Sequence, residues 1–191
     1  NITTIEGGAI TTNSFKNFKK LIELKTFSLI KTNINDPYQL KTPSLNFRMG
    51  EINAAIGLNQ MKKIKKFKSV RQNLVNYYIE KFKNLDEILT IENKKDKRIF
   101  WHLLVIHLDK KYLHLKKKLM LFLKSKKIGT QIHYKPLSEH KILKNRIILS
   151  NKKNSIKFYK SQLTLPLHTK MKKKDIDYIY GNIKFFFKDY I

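Results

Sequence analysis

The chain passes from a loop into a long helical pattern at Asn46-Phe-Arg-Met-Gly-Glu-Ile-Asn-Ala-Ala-Ile-Gly-Leu-Asn-Gln60, and the rest of the sequence is interpreted outward from this stretch. Apolar residues recur at the spacing of one helix face from residue 48 to about residue 83. A pattern of this length predicts two helices in tandem, or one helix with a bend near residues 65–68. A helical segment of this kind can join two domains.

The end of the loop carries two side chains suited to binding an anion. Asn46 offers an amide donor and Arg48 a guanidinium, and both precede the positively polarised N-terminus of the predicted helix. This combination is typical of an anion or phosphate site. The alternative is structural, with Asn46 capping the helix and Arg48 solvated. From the residues alone, both interpretations stay open.

The first residues, Asn1-Ile-Thr-Thr-Ile-Glu-Gly-Gly-Ala-Ile-Thr-Thr12, place a glycine pair between two β-branched runs. They predict short strands over residues 2–4 and 9–12, joined by a tight turn at Gly7-Gly8, where positive φ or a close backbone approach is easy. The stretch has no initiator Met and already carries a packed motif. We therefore expect the sequence to begin inside a larger protein.

A helix and a loop are predicted between these two stretches. Asn13-Ser14 provides an N-cap for a helix that runs to about Leu29. Residues 31–47 contain two prolines and several asparagines, which predicts a long loop. Loops of this length tend to be functional or to contact a partner.

The sequence beyond residue 83 alternates strand and helix patterns. Strands are predicted near residues 88–91, 100–108 and 128–133, and helices over residues 111–127, around residues 155–159 and from about residue 172. In the last helix the positions predicted to face the core are Ile176, Ile179, Ile183, Phe186 and Phe187. This alternation predicts a small α/β or α+β domain.

Composition limits the possible functions. The 191 residues include 41 Lys and Arg against 14 Asp and Glu, a net charge of +27, which raises the possibility of nucleic-acid binding. Only four of the basic residues are arginines and the lysines are dispersed, so solvated helix faces explain the charge better than a phosphate-recognition surface. The absence of cysteine excludes disulfides and favours a cytoplasmic location. No apolar stretch approaches the length of a membrane span.

Histidines stand at the ends of two predicted strands. Trp101-His102 opens an apolar strand, and His133-Tyr134 closes another before Pro136. A histidine at such a position serves as an acid, a base or a binding group, or it is simply hydrogen-bonded near a core. The six histidines show no metal-ligand spacing and there is no cysteine to complete a zinc site, so no metal is predicted.

Taken in order, these segments resemble the DegT/DnrJ/EryC1/StrS family of pyridoxal-phosphate-dependent sugar aminotransferases. The matching segments are residues 1–13, residues 46–60, Trp101-His-Leu-Leu-Val-Ile106, Ile128-Gly-Thr-Gln-Ile-His-Tyr-Lys-Pro136 and Leu163-Thr-Leu-Pro-Leu167. The resemblance covers essentially the whole chain. It implies an α/β fold, the C-terminal part of a fold-type-I pyridoxal-phosphate-dependent transferase. Residues 1–60 would end the large cofactor-binding domain, with a dimer-contact loop over residues 31–47, and residues 61–191 would form the small α+β domain.

The resemblance also implies site residues. In the family, the cofactor lysine lies directly before a segment like Asn1-Ile-Thr-Thr4, so it is expected just ahead of Asn1 and no catalytic residue is expected within the chain. Asn46 matches a residue that reaches the cofactor phosphate of the neighbouring subunit, with Arg48 beside it. The segments that line the sugar-nucleotide side of the cleft contain His102, His133 and Tyr134.

By the same resemblance, the complete protein is expected to transfer an amino group from an amino acid, with glutamate as the expected donor, to a keto nucleotide-activated sugar for cell-surface polysaccharide or glycoconjugate biosynthesis. Thr3-Thr4 and His133-Tyr-Lys-Pro136 are most similar to the aminotransferases of pseudaminic-type sugar synthesis. A homodimer with shared active sites is implied, and the chain alone is expected to be inactive. Two alternatives stay open: a dehydratase of the same family, with histidine in place of lysine, and a basic nucleic-acid-binding module.

Two departures from the family pattern bear on substrate identity rather than on fold. Members commonly have an Arg-x-His-Gly-like stretch after the first helix, where this chain has Lys25-Thr-Phe-Ser28. The tyrosine often found between the Asn and the Arg is Phe47, which keeps an aromatic ring and loses a hydroxyl.

Overall fold

The computed structural model describes residues 1–31, 38–90, 99–143 and 152–190. The chain divides into an N-terminal unit, Ile2–Ile64, and a C-terminal unit, Lys65–Ile191 together with Asn1. The helices and strands are α1 (Phe15–Lys25), β1 (Leu29–Lys31), β2 (Tyr38–Leu40), α2 (Glu51–Phe82), β3 (Ile88–Thr90), β4 (Leu104–Leu108), α3 (Lys116–Ser125), α4 (Lys153–Ser161), β5 (Gln162–Leu165) and α5 (Lys173–Tyr190).

Helix α1 begins where the sequence predicts. Ser14 precedes it in an extended conformation, and the Ser14 hydroxyl accepts a hydrogen bond from the Asn17 N–H at 3.3 Å. This bond provides a partner for one of the N–H groups that a helix leaves unpaired at its start. The predicted N-cap is confirmed.

The end of α1 comes earlier than predicted, at Lys25 rather than near Leu29. The reason is that Phe27 and Ser28 adopt left-handed conformations, with φ of 61° and 56°. The Ser28 N–H donates to the Glu23 carbonyl at 3.1 Å, which ends the helix. The departure from the family pattern at residues 25–28 therefore falls on this turn.

The predicted loop over residues 31–47 is in part a hairpin. Strands β1 and β2 pair antiparallel, with Leu29 opposite Leu40, and a further bridge joins Thr26 to Asn46. The prediction of an irregular loop is wrong at residues 31 and 38–40. Residues 32–37 lie outside the described part of the chain.

The first twelve residues are all described, and none of them lies in a strand. The predicted strands at residues 2–4 and 9–12, with the hairpin between them, are wrong. The chain turns within residues 3–6 instead, and the left-handed residue is Ile5, with φ of 71°, rather than Gly7 or Gly8. Side chains bond to the backbone of this turn, so its polar groups find partners without a neighbouring strand.

Helix α2 is one helix of 32 residues, so the predicted alternative of a single helix is confirmed and that of two helices in tandem is wrong. No proline interrupts it, and the lysines between its apolar positions are good helix formers. Its residues up to Ile64 belong to the N-terminal unit and those from Lys65 to the C-terminal unit. Its buried side chains all lie in the C-terminal unit and are Leu74, Val75, Tyr78 and Phe82.

The C-terminal unit contains an antiparallel sheet in the order β3-β4-β5. The central strand β4 places Ile106 opposite Thr90 of β3 and Leu163 of β5. The strand predicted at residues 100–108 forms only from Leu104 onward. Among the described residues before it, 99–103 lie in no strand, and the Arg71 side chain donates to the backbone carbonyls of Trp101 and His102.

The strand predicted at residues 128–133 is wrong except for one bridge. Gln131 and Thr164 exchange two backbone hydrogen bonds, of 3.2 and 2.8 Å, beside β5. The Ile128 N–H instead bonds to the Leu123 carbonyl at 2.8 Å. The start of this segment therefore completes the end of α3 rather than extending a strand.

The remaining helices follow the prediction closely. The helix predicted at residues 111–127 forms as a 3₁₀ helix, Lys110–Leu115, followed directly by α3. The Asp109 side chain starts it by accepting the Lys111 N–H at 2.9 Å. The short helix predicted around residues 155–159 is α4, and the last one is α5. None of the described helices combines the length and the apolar character that crossing a membrane requires.

The C-terminal unit has a continuous hydrophobic core. Side chains from α2, α3, α5 and all three strands of the sheet form one buried cluster. The five positions of α5 predicted to face the core are each 4% exposed or less, which confirms the predicted stripe: Ile176, Ile179, Ile183, Phe186 and Phe187. Burial of such side chains is the main source of stability in a unit of this size.

The N-terminal unit differs in this respect. Among the residues described there, no apolar side chain belongs to the buried core, and Phe15, Phe18 and Leu45 are 69%, 51% and 66% exposed.

Candidate active site

Asn46 and Arg48 lie on a cleft of about 1240 Å³ in the N-terminal unit. The glycine pair of the opening segment and the first turn of α2 line the same cleft, through Gly7, Gly8 and Asn53. The structure therefore brings together the two stretches that carry the strongest family resemblance.

The Asn46 side chain does not cap α2, which begins at Glu51. Its Oδ1 atom accepts hydrogen bonds from the Arg48 N–H at 3.2 Å and from Arg48 Nε at 3.1 Å. This is an Asx-type turn, in which the side chain binds the backbone two residues further on. The structural alternative of an Asn46 cap is wrong.

This turn leaves donors available for an anion. Both side chains are exposed, and among the described residues the Asn46 Nδ2 group and the Arg48 Nη groups have no hydrogen-bond partner. An amide and a guanidinium fork are donors that suit a phosphate, which accepts charge-assisted hydrogen bonds. The residues present therefore fit the phosphate of a cofactor such as pyridoxal phosphate.

The turn at residues 3–6 is held by α2. The Asn53 amide donates to the carbonyls of Thr4, at 2.6 Å, and Glu6, at 2.9 Å. The Ile5 N–H donates to the Thr3 hydroxyl at 3.2 Å. These bonds support a left-handed β-branched residue, a conformation that persists only where its surroundings impose it.

Gly7 is required at its position by close packing. A Cβ atom at Gly7 would lie 2.5 Å from Thr4 Oγ1 and 3.0 Å from Met49 Cε. One at Gly57 of α2 would lie 3.0 Å from Thr4 Cγ2. At Gly8, a Cβ would meet no described atom within 4 Å. The predicted tight packing is thus a property of Gly7, and Gly8 shows no such need.

The C-terminal unit carries the predicted histidines. His102 is exposed, and its backbone carbonyl accepts a hydrogen bond from Arg71 Nη1 at 3.0 Å. Burial lowers the pKa of the His102 imidazole below its ordinary value, and the charges of Arg71 and His133 lower it further. The structure therefore places His102 and His133 within electrostatic reach of each other.

His133 is half-buried and fixed by β5. Its Nδ1 atom is hydrogen-bonded to Thr164 Oγ1 at 2.9 Å, and its N–H donates to Gln162 Oε1 at 3.1 Å. His133 lines a cleft of about 850 Å³ together with Gln131 and His168.

Unlike His133, Tyr134 lies outside this cleft. Its side chain is 76% exposed and does not line the cleft. Its ring packs edge-on against His133, with centroids 4.8 Å apart. A substrate-binding role for Tyr134 stays a prediction.

Several side chains around these positions were not predicted from the sequence. Arg71 and Thr164 hold the two histidine segments, His168 shares the cleft of His133, and Asn53 holds the opening turn. Of these, only Arg71 could have been suspected from the sequence. It is the only arginine within the helical pattern of α2, where the other basic residues are lysines.

The fold is shared with sugar aminotransferases of known structure. Helicobacter pylori PseC, an aminotransferase involved in the biosynthesis of pseudoaminic acid, superimposes with a TM-score of 0.82 at 23% identity, over 93% of this chain and 48% of its own. A Streptococcus pneumoniae structure, described as the PLP-form of a sugar aminotransferase, gives 0.75 at 23% identity, over 91% of this chain and 44% of its own. The predicted fold class is confirmed.

The sequence profile of the DegT/DnrJ/EryC1/StrS aminotransferase family matches residues 1–184. The chain belongs to this family. The UDP-4-amino-4,6-dideoxy-N-acetyl-beta-L-altrosamine transaminase of Campylobacter jejuni is 30% identical over 178 residues, which cover 93% of this chain and 47% of the relative. The chain thus spans about half the length of the relatives it matches.

Proposed function

We propose that the whole protein is a pyridoxal-phosphate-dependent aminotransferase that moves an amino group, with glutamate as donor, to a keto nucleotide-sugar. The observation that carries this proposal is the family match over residues 1–184. In this proposal residues 1–60 end the cofactor-binding domain, residues 61–191 form the small domain, and the cofactor lysine directly precedes Asn1.

The free donors of Asn46 and Arg48 support the cofactor assignment. When bound, pyridoxal phosphate supplies the chemistry that carries an amino group between donor and acceptor. The Asn46 amide and the Arg48 guanidinium would bind its phosphate, and the Asx turn between them keeps both side chains in one orientation. The Gly7 and Asn53 contacts would fix the backbone that follows the lysine.

The exposed apolar side chains of the N-terminal unit support a shared site. Phe15, Phe18 and Leu45 need cover that the described residues of this unit do not provide. In a homodimer, this surface and residues 31–47 would pack against the remainder of the protein and the second subunit. Asn46 would then bind the phosphate of the neighbouring subunit's cofactor.

The histidines of the C-terminal unit support binding of the sugar nucleotide. The lowered pKa of the exposed His102 imidazole favours its neutral form, which can both donate and accept hydrogen bonds to sugar hydroxyls. His133, held by Thr164, would do the same from the neighbouring cleft, and Tyr134 offers an exposed aromatic ring. The similarity to the Campylobacter transaminase favours a UDP-linked amino sugar of the pseudaminic type. We place this activity in the cytoplasm, in the synthesis of cell-surface polysaccharide or glycoconjugate sugars.

The reverse reaction of the full-length protein tests this function. The protein would be supplied with pyridoxal phosphate, 2-oxoglutarate and UDP-4-amino-4,6-dideoxy-N-acetyl-beta-L-altrosamine (the UDP-amino sugar). We expect formation of glutamate that depends on both substrates. A protein that binds the sugar nucleotide and forms no glutamate would instead favour the dehydratase alternative.

A further inference from the structure

Arg71 occupies a singular position on α2. Its Nη1 atom donates to the backbone carbonyls of His102 and Leu167, both at 3.0 Å, with the Trp101 carbonyl at 3.4 Å. One guanidinium nitrogen therefore joins two segments of chain that are far apart in sequence. The first leads into β4 and carries His102, and the second follows β5 and leads to His168.

The residue next to it strengthens the same attachment. Gln72 Oε1 accepts a hydrogen bond from the Trp101 indole at 3.1 Å, and the Gln72 amide donates to Asn76 at 2.9 Å. Consecutive residues of one helix thus hold both the backbone and the side chain of the residue before His102. A rigid helix is a more precise support for a binding residue than a loop.

These carbonyls need a partner from outside the sheet. Residues 101–103 precede β4 and form no ladder, so their backbone groups depend on side chains. Arg71 Nε is buried and has no partner among the described residues. The hydrogen bonds that join the two segments are therefore made by Nη1. The side chain is half-buried beneath the segment that it holds.

We propose that Arg71 is a positioning residue for the nucleotide-sugar site: its guanidinium sets the position of the His102 segment relative to the chain after β5. This inference rests on the proposed function, in which His102 binds the sugar nucleotide. Arg71 does not itself touch the substrate in this account. Its effect is therefore confined to sugar binding and leaves the reaction with glutamate unchanged.

The test uses the full-length protein with Arg71→Met, Arg71→Lys and the control Lys66→Met. Lys66 is an exposed residue of α2, and its substitution removes the same charge. Affinity for the UDP-amino sugar is measured by calorimetry, the glutamate half-reaction is followed by the absorbance of the bound cofactor, and thermal melting reports folding. The two half-reactions separate sugar binding from amino-donor chemistry.

We expect Arg71→Met to weaken sugar affinity about tenfold, since charged hydrogen bonds to two well-placed carbonyls are lost. The glutamate half-reaction should stay within about twofold of the unaltered protein, a difference too small to reflect a lost interaction. Arg71→Lys should also weaken sugar affinity, by about threefold, because the shorter ammonium lacks the guanidinium fork that reaches both carbonyls. Lys66→Met should behave as the unaltered protein does.

Two results would overturn the inference. One is a folded Arg71→Met protein with unchanged sugar affinity, and the other is an equal fall in both half-reactions. If Arg71→Met does not fold, Arg71→Lys decides: lower melting temperature with unchanged sugar affinity also overturns it. Failure of the proposed function looks different, because the unaltered protein would then not react with glutamate, whether or not it binds the UDP-amino sugar.

Discussion

His133 Nδ1 and Thr164 Oγ1 lie 2.9 Å apart, at the only backbone bridge that the described residues of the 128–133 segment make with β5. Thr164 is 5% exposed, so its hydroxyl lies in the packed edge of the sheet. Because the His133 side chain is already held in one orientation, it loses little conformational entropy when a ligand binds.

The first prediction concerns this bond. Thr164→Val keeps the shape of the side chain and removes the hydroxyl, so His133 loses its partner. We expect affinity of the full-length protein for the UDP-amino sugar to fall about fivefold, the effect of one neutral hydrogen bond. Calorimetric titration measures it, with Thr164→Ser as the control that keeps the hydroxyl. Equal affinities of the Val and Ser variants would contradict a role for this bond.

The glycine pair allows a matched comparison. An alanine at Gly7 would place its Cβ 2.5 Å from Thr4 Oγ1, whereas one at Gly8 meets no described atom within 4 Å. We expect Gly7→Ala to lower the free energy of unfolding of the full-length protein by about 1–3 kcal/mol, the usual effect of overpacking. Gly8→Ala should change it by less than about 0.5 kcal/mol. Denaturant unfolding of both variants measures the difference, and equal destabilisation would count against the packing argument.

Ionisation of Glu23 should make the stability of the folded protein depend on pH in the acid range. Hydrogen bonds from Ser28 and Lys20, with the charge of Lys41 nearby, lower the pKa of the Glu23 carboxyl from 4.5 to about 2. Because the folded-state pKa lies below the unfolded-state value, this stabilisation is present above pH 4.5 and is lost as the pH falls toward 2. Glu23→Gln should therefore flatten the decline of the melting temperature over this range. The exposed Glu51→Gln is the control, and a decline unchanged by Glu23→Gln would exclude this residue as its source.

The shared site can be tested by subunit mixing. One subunit carries Asn46→Ala, and the other carries alanine in place of the cofactor lysine expected before Asn1. If Asn46 serves the neighbouring subunit, each mixed dimer contains one intact site and one with both defects. We expect mixing two nearly inactive proteins to restore up to about half the activity per mixed dimer. No recovery in mixed dimers verified by native mass spectrometry would place Asn46 in its own subunit's site.

Elements whose stability comes from local signals were predictable. The apolar stripe of α5 repeats at helical spacing and is buried as expected, and Ser14 forms the cap that its residue type favours. The opening segment was not predictable, because its β-branched residues favour strands in isolation. There, hydrogen bonds from Asn53, about fifty residues away, hold a turn instead.

A side chain that binds the backbone accompanies one further error at the strands. Residues 100–103 have the composition of a strand, but Arg71 binds the backbone carbonyls of Trp101 and His102. Such a hydrogen bond depends on which segments lie together in the tertiary structure. The hydrophobic periodicity of the sequence does not indicate it. The same limit applies to the site: Asn46 and Arg48 were found because they share one short segment, whereas the link between Arg71 and His102 spans two distant ones.

In the proposed function, the whole protein transfers an amino group to a nucleotide-linked keto sugar. The most direct measurement supplies the full-length protein with glutamate labelled at its nitrogen and with the keto form of the UDP-amino sugar, and follows the sugar nucleotide by mass spectrometry. We expect the label to appear on the sugar and 2-oxoglutarate to form in equal amount. An unlabelled sugar that loses water, or one that is unchanged while the protein binds it, would contradict the proposed function.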